Sequence, residues 1–163
     1  MTRFIPFHLL VVLSLSGLLV PSICLSAQEI AKAGQVIAYD NGIVLDSKTG
    51  LKWYPGLDKN TNWDDAKIWV ESLTDFAGGG WRMPTRKELK TLYQRGEKCH
   101  IKPFFKTTAC FVWSGETRSS SNAWGFDYSY DSSDAYGFLG GSESWELRET
   151  SSYGQVFAVR SRR

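Results

Sequence analysis

Gly78-Gly79-Gly80-Trp81-Arg82-Met83-Pro84-Thr85-Arg86-Lys87-Glu88-Leu89-Lys90-Thr91-Leu92-Tyr93 is the stretch that decides how this chain folds. Three glycines free the backbone ahead of a large aromatic and an arginine, and Pro84 bars a helix from running through. Thr85 then opens a new helix, with Glu88 three residues on. That spacing is a capping box: the Thr85 hydroxyl accepts from the amide of residue 88, and the Glu88 carboxylate reaches back to the amide of residue 85. Leu89, Leu92 and Tyr93 follow at i, i+3 and i+4 and give the helix a one-sided apolar stripe. Trp81, Pro84, Thr85 and Glu88 therefore read as scaffold. Arg82 has two readings, a buried pair for an acid or a contact for a ligand, and the structural pair is the one favoured.

Upstream lies a first helix. Asn62 is its N-cap, and Asp64 and Asp65 favour the positive end of the helix dipole. Ala66, Trp69, Val70 and Leu73 share one face. First-turn acids are common, so Asp64 and Asp65 read as capping chemistry rather than a catalytic pair. Before the helix, Val36–Tyr39, Ile43–Asp46 and Leu51–Tyr54 form a meander, with turns at Asn41-Gly42 and Ser47–Gly50. Gln28–Gln35 reads as a polar leader. Downstream, Arg95–Thr108 reads as an irregular loop and Phe111–Ser114 as a strand, followed by a polar loop at Gly115–Ser121. Ala123–Tyr130 reads as a strand whose Trp124, Phe126, Tyr128 and Tyr130 share one face. Asp131–Asp134 is a turn, Ala135–Leu139 a returning strand, Trp145–Leu147 a short piece and Gln155–Arg160 the last strand. Helices confined to the first half, with strands at both ends, predict an α+β fold. Its two helices pack on a small twisted antiparallel sheet with long irregular loops.

The first 27 of the 163 residues read as a signal peptide. Arg3 supplies the positive start, Leu9–Val20 the apolar run, Pro21 the break and Leu25-Ser26-Ala27 a small-residue cleavage site. The run is short of the ~20 residues of a membrane span, so no span is expected after cleavage. Lipidation at Cys24 fits poorly behind bulky Ile23. The expected mature domain is residues 28–163, periplasmic or extracellular, and 163 − 27 = 136 residues suffice for one core. Its 19 − 1 = 18 basic residues nearly balance 17 acidic ones, which argues against a nucleic-acid partner. Two cysteines remain, Cys99 and Cys110, and in an oxidising compartment such a pair forms a disulfide. The rival is a metal site with neighbouring His100, but two thiols and one imidazole at this spacing match no zinc pattern.

Five blocks together resemble a known family. Asp46-Ser47-Lys48-Thr49-Gly50-Leu51-Lys52-Trp53 looks like its D-x-x-T-G-L-x-W opening, and Asn62-Trp63-Asp64-Asp65-Ala66 like its W-x-x-A helix start. Gly80–Leu89 resembles its W-R-[LM]-P-[ST]-x-x-E-L centre, Trp113-Ser114 its aromatic strand, and Phe157–Arg160 its closing V-R. The family is the Lcl C-terminal domain family, similar to the C-type-lectin-like fold. On this resemblance Trp53, Trp81, Arg82, Pro84, Thr85, Glu88 and Trp113 are structural markers. The resemblance implies an exported bacterial domain. The family's namesake is an adhesin whose C-terminal domain binds sulfated polysaccharides behind a collagen-like trimerising stalk. No Gly-X-Y repeat occurs here, so a stalk-driven trimer does not carry over. The central block also resembles the core of formylglycine-generating enzymes, but no cysteine follows Cys110 to support their copper chemistry.

The functional expectation is a glycan- or sulfated-polysaccharide-binding module of adhesin type. Its candidate contacts are Arg118, Asn122, Trp124, Asp127, Tyr128, Tyr130, Tyr136 and Trp145, in the region after Trp113. Sugars stack on aromatic faces, and sulfate groups bind cationic side chains. Each aromatic also has a core reading, since a small sheet must bury one face. Asp127, Asp131, Asp134, Glu143 and Glu146 could offer oxygens to calcium. Their spacing is no EF-hand and the motifs of calcium-dependent lectins are absent, so no cofactor is expected. His100 is the one histidine outside the leader, and neither Ser114 nor Ser121 sits in a nucleophile elbow. The expectation is therefore no enzyme. The alternative function is a structural or protein-interaction subunit of the cell envelope.

Overall fold

Short apolar runs separated by tight turns lay down the first sheet. In the computed structural model, which describes residues 26–95, 99–129 and 141–161, β1 (Glu29–Ala33), β2 (Val36–Tyr39), β3 (Val44–Asp46) and β4 (Leu51–Tyr54) form an antiparallel meander. The last strand, β8 (Ala158–Arg160), returns to pair with β4, giving the order β1-β2-β3-β4-β8. Val36, Ala38, Val44 and Trp53 are buried. A second, three-stranded sheet has the order β5-β6-β7, formed by β5 (Phe111–Thr117), β6 (Asn122–Asp127) and β7 (Ser142–Leu147). The α+β class stands, with two antiparallel sheets where one was expected.

Both helices begin where their caps dictate. The Asn62 side chain accepts from the Asp65 amide (2.8 Å) and opens α1 (Trp63–Glu71). Both halves of the capping box are present at α2 (Arg86–Thr91): the Glu88 amide donates to the Thr85 hydroxyl (3.2 Å), and the Thr85 amide donates to the Glu88 carboxylate (2.8 Å). α1 buries Trp63, Ala66 and Val70 with Phe111, Trp113 and Ala123 on one face of the small sheet. α2 buries Leu89 with Val112, Phe126 and Tyr128 on the other face, where Trp53, Phe105 and Phe157 complete the larger core cluster. The three-stranded sheet is thus covered on both sides along β5. Gly125 is part of this fit, since a Cβ there would stand 2.3 Å from the Phe111 ring.

The cystine and an ion pair anchor the loop between α2 and β5. Cys99 and Cys110 are disulfide-bonded, with Cα atoms 5.2 Å apart, so the thiols are not available as a metal site with His100. Within the same loop Lys102 donates to Asp46 (Nζ–Oδ2 2.6 Å), and both residues are buried. Asp46 Oδ1 accepts in addition from the Lys48 amide (3.0 Å), and the Gly50 amide donates to the Asp46 carbonyl (2.8 Å). Asp46 is therefore both the turn former of its Asp-x-x-Thr-Gly block and the counter-ion of the loop.

Several segments depart from the sequence reading. The expected polar leader contains β1, because an edge strand needs a backbone ladder more than an apolar face, and it pairs with β2 from Glu29 to Ala33. β5 runs on through Gly115 to Thr117, so the polar loop is shorter than expected. The piece around Trp145 is a six-residue strand paired along its whole length with β6. β6 stops at Asp127. Gln155 contributes only an isolated bridge, to Val112, before β8 begins. The expected turn at 131–134 and strand at 135–139 lie outside the described residues, as does most of the expected signal peptide.

Candidate ligand-binding face

β6 and β7 pair in register, and that register brings two tryptophans together. Trp124 stands directly opposite Trp145, flanked by Asn122 opposite Leu147 and Phe126 opposite Glu143. Residues directly opposite share a face, and this is the face on which Phe126 and Tyr128 meet α2. The helix covers only part of it. Phe126 and Tyr128 are fully buried, Trp124 is half-buried, and Trp145 on the edge strand is 44% exposed.

Two arginines complete the arrangement. Arg86, the first residue of α2, lays its guanidinium over the Trp124 ring at 4.4 Å. Arg118, in the turn between β5 and β6, lies 4.1 Å over Trp145 and 5.9 Å from Trp124. Arg86 is held by carboxylates from both flanking strands: Nε bonds Glu116 on β5 (2.5 Å) and a terminal nitrogen bonds Glu143 on β7 (2.8 Å). Its backbone amide also donates to Glu116 (3.0 Å), so the start of α2 is clamped to the sheet. The Glu116 hydrogen bond outweighs burial and strengthens the already permanent charge of Arg86. Arg118 is exposed and has no ion pair among the described residues.

Of the sequence candidates, Arg118, Trp124 and Trp145 form one cluster. Asn122 supports it indirectly: its carbonyl accepts from the Arg118 amide (2.9 Å) and its side chain accepts from the Ser119 hydroxyl (3.0 Å), shaping the turn that carries Arg118. Asp127 lies on the opposite face, where its carboxylate accepts from the Ser129 amide (2.8 Å) and hydroxyl (2.6 Å). Tyr128 is a core residue. Its hydroxyl donates to the Leu89 carbonyl (2.7 Å), and burial pushes its pKa well up. Tyr130 and Tyr136 lie outside the described residues. Glu143, counted among possible calcium donors, is engaged with Arg86, while Glu146 alternates to the far face beside Ser151. Sequence reasoning did not reach Arg86, Glu116 or Glu143 as members of this face. Arg86 sits inside the capping box and reads there as a helix residue. No local spacing connects positions 86, 116 and 143.

Among the structural markers, Arg82 makes at the surface the pair expected to be buried. Trp53 and Trp113 are fully buried. The Trp81 indole donates to the Phe76 carbonyl (2.8 Å), and its ring packs with Tyr54 and Phe76 while remaining half-buried. Arg82 resolves to an ion pair, a two-pronged bond to Glu88 (2.8 and 2.6 Å) made at the surface, with the arginine side chain 47% exposed. Burial acts to raise the Glu88 pKa. Arg82 and the Thr85 amide and hydroxyl outweigh it and hold the carboxyl below its usual value.

Concavities elsewhere among the described residues include two beside α1. A cleft of about 450 Å³ lies between the 57–62 loop and α1, with Leu57, Asn60, Asn62 and Trp69 on its walls. A shallower groove of about 330 Å³ runs between Trp63, Trp81 and Gly115. No helix among the described residues is long and apolar enough to cross a membrane.

No curated protein matches the chain. The family model described as the Lcl C-terminal domain matches residues 42–157, a span that includes both helices, the cystine and all three strands of the small sheet. The chain belongs to the Lcl C-terminal domain family.

Proposed function

We propose that this chain is an exported bacterial binding module of C-type-lectin-like build that recognises glycans on its Trp124–Trp145 face. The observation that carries the reading is the direct pairing of two tryptophans on a sheet face that α2 leaves partly open. A pyranose ring presents C–H groups on one face and hydroxyls around its rim. Flat, rigid indoles match the first, and guanidinium donors with carboxylate acceptors match the second. Trp124 and Trp145 supply the flat surface, Arg118 supplies donors, and Glu116 and Glu143 supply acceptors beside it. Tryptophan and arginine are also the side chains most often found to dominate binding energy at protein interfaces. Family membership and the signal-like first 27 residues support the exported setting.

The test is retention of the protein on a glycan array, with calcium and with chelator, for the natural chain and for Trp145→Ala. Because Trp145 is an exposed residue on an edge strand, its removal should leave the thermal midpoint within a few degrees while abolishing retention. Equal retention of the Trp145→Ala variant, or no retention of the natural chain, refutes the glycan reading and leaves the envelope-subunit role.

A further inference from the structure

The charges around the two tryptophans set the class of glycan this face accepts, an inference that rests on the glycan reading above. The cations in contact with the rings are Arg86 and Arg118. Arg86 is already matched by two carboxylates, Glu116 and Glu143. The four charged groups therefore cancel, and the guanidinium of Arg118 is the member without an ion pair among the described residues. The connection 130–140 between β6 and β7 contains Asp131 and Asp134 in its sequence and no Lys or Arg, so it brings no cation to either strand.

Arg118 is arranged to receive one acidic group. Its guanidinium lies 4.1 Å over the Trp145 ring, and its N–H groups make no hydrogen bond or ion pair among the described residues. A carboxylate or a sulfate ester can take two of those donors at once. A densely sulfated chain meets the opposite situation. After its first anionic group pairs with Arg118, the next ones face Glu116 and Glu143, two carboxylates that share the single cation Arg86, and like charges brought together discriminate against that ligand.

We propose that the Trp124–Trp145 face selects glycans bearing a single acidic group next to the stacked sugar, with that group seated on Arg118, and discriminates against polyanionic chains. The experiment uses the full mature chain and matched array sets: neutral oligosaccharides, the same cores with one sulfate ester or one uronic or sialic acid, and heparin fragments. The natural chain should retain the singly acidic set best, and the sulfate and carboxylate arms identify which oxyanion fits. Arg118→Gln should lower singly acidic binding at least about tenfold, to the level of the neutral cores, as expected for loss of a charge-assisted pair. Neutral binding should fall by much less, because the rings remain and a neutral core loses only an uncharged-acceptor hydrogen bond. Glu143→Gln, which frees Arg86 of one carboxylate, should raise heparin retention. Stronger retention of heparin than of singly acidic glycans by the natural chain, falling steeply with added salt, overturns the charge selection while keeping the aromatic platform. Loss of neutral and acidic binding together in Arg118→Gln overturns it as well. Absence of retention in every set overturns this inference and the glycan reading together.

Discussion

Replacing Lys102 with methionine should destabilise the domain more than any surface substitution. Asp46 is fully buried and Lys102 nearly so, at 0% and 6% exposure, and their charged atoms are 2.6 Å apart. Methionine keeps the length of the side chain and removes the charge. The Asp46 carboxylate is then left buried with the Lys48 amide as its remaining donor. Stranding one member of a buried pair typically costs about 3–5 kcal/mol, a large share of the roughly 5–15 kcal/mol that holds a domain together. With an unfolding entropy of about 2.1 cal/mol/K per residue over the 163 − 27 = 136 residues that follow the expected leader, the midpoint should fall on the order of 10–17 °C. Thermal and urea unfolding of the oxidised protein measure this directly. The double variant Asp46→Asn with Lys102→Met removes the stranded charge and should recover a large part of the loss. A loss below about 1 kcal/mol in the single variant, or a double variant as unstable as the two single losses added together, would show that the pair is not shielded from solvent as the structure has it.

Two other perturbations test the scaffold and the limits of the site. Glu88→Gln should weaken the α2 cap by about 1 kcal/mol at neutral pH. The Glu88 pKa is lowered in the folded state, so its contribution is complete above the usual value of 4.5 and is lost as pH falls through the lower folded value. The gap between natural and Glu88→Gln stabilities should therefore close in acid urea titrations; a gap independent of pH contradicts the cap and Arg82 assignment. Tyr128→Phe removes the bond to the Leu89 carbonyl and should cost about 1–3 kcal/mol, with array binding unaltered; altered glycan specificity in a normally folded variant would place Tyr128 at the ligand after all.

What the sequence makes legible is what local chemistry determines. The caps at Asn62 and Thr85 form as read because every atom they need lies within four residues. The Cys99–Cys110 disulfide forms as read, from the only two cysteines that follow Cys24. Sheet membership is another matter: β4 and β8 pair across about a hundred residues, and nothing in either strand names its partner. Periodicity has a similar limit at the site. It places Trp124, Phe126 and Tyr128 on one face, which they share, but a parity cannot say where a covering helix ends. The body of α2 covers Phe126 and Tyr128, and only its first residue, Arg86, reaches Trp124. Asp46 is visible as a letter of its block, whereas its bond to Lys102, 56 positions away, is a product of the fold alone.

The stretch that identifies the fold also builds one wall of the proposed binding face. Thr85 and Glu88 fix where α2 begins, and the first residue of that helix is Arg86. From there Arg86 covers Trp124, reaches Glu116 on β5 and reaches Glu143 on β7. β7 is an edge strand with mostly exposed residues and little core of its own. Among the described residues its ties include the ladder to β6, the Arg118 contact with Trp145 and this ion pair to the helix start. The same ion pair neutralises Arg86, which on the proposed glycan reading leaves Arg118 to set the charge of the ligand. On that reading pre-organisation and selectivity have a common origin: Glu143, the carboxylate that ties the edge strand to the helix start, is also a group a polyanionic chain would have to face.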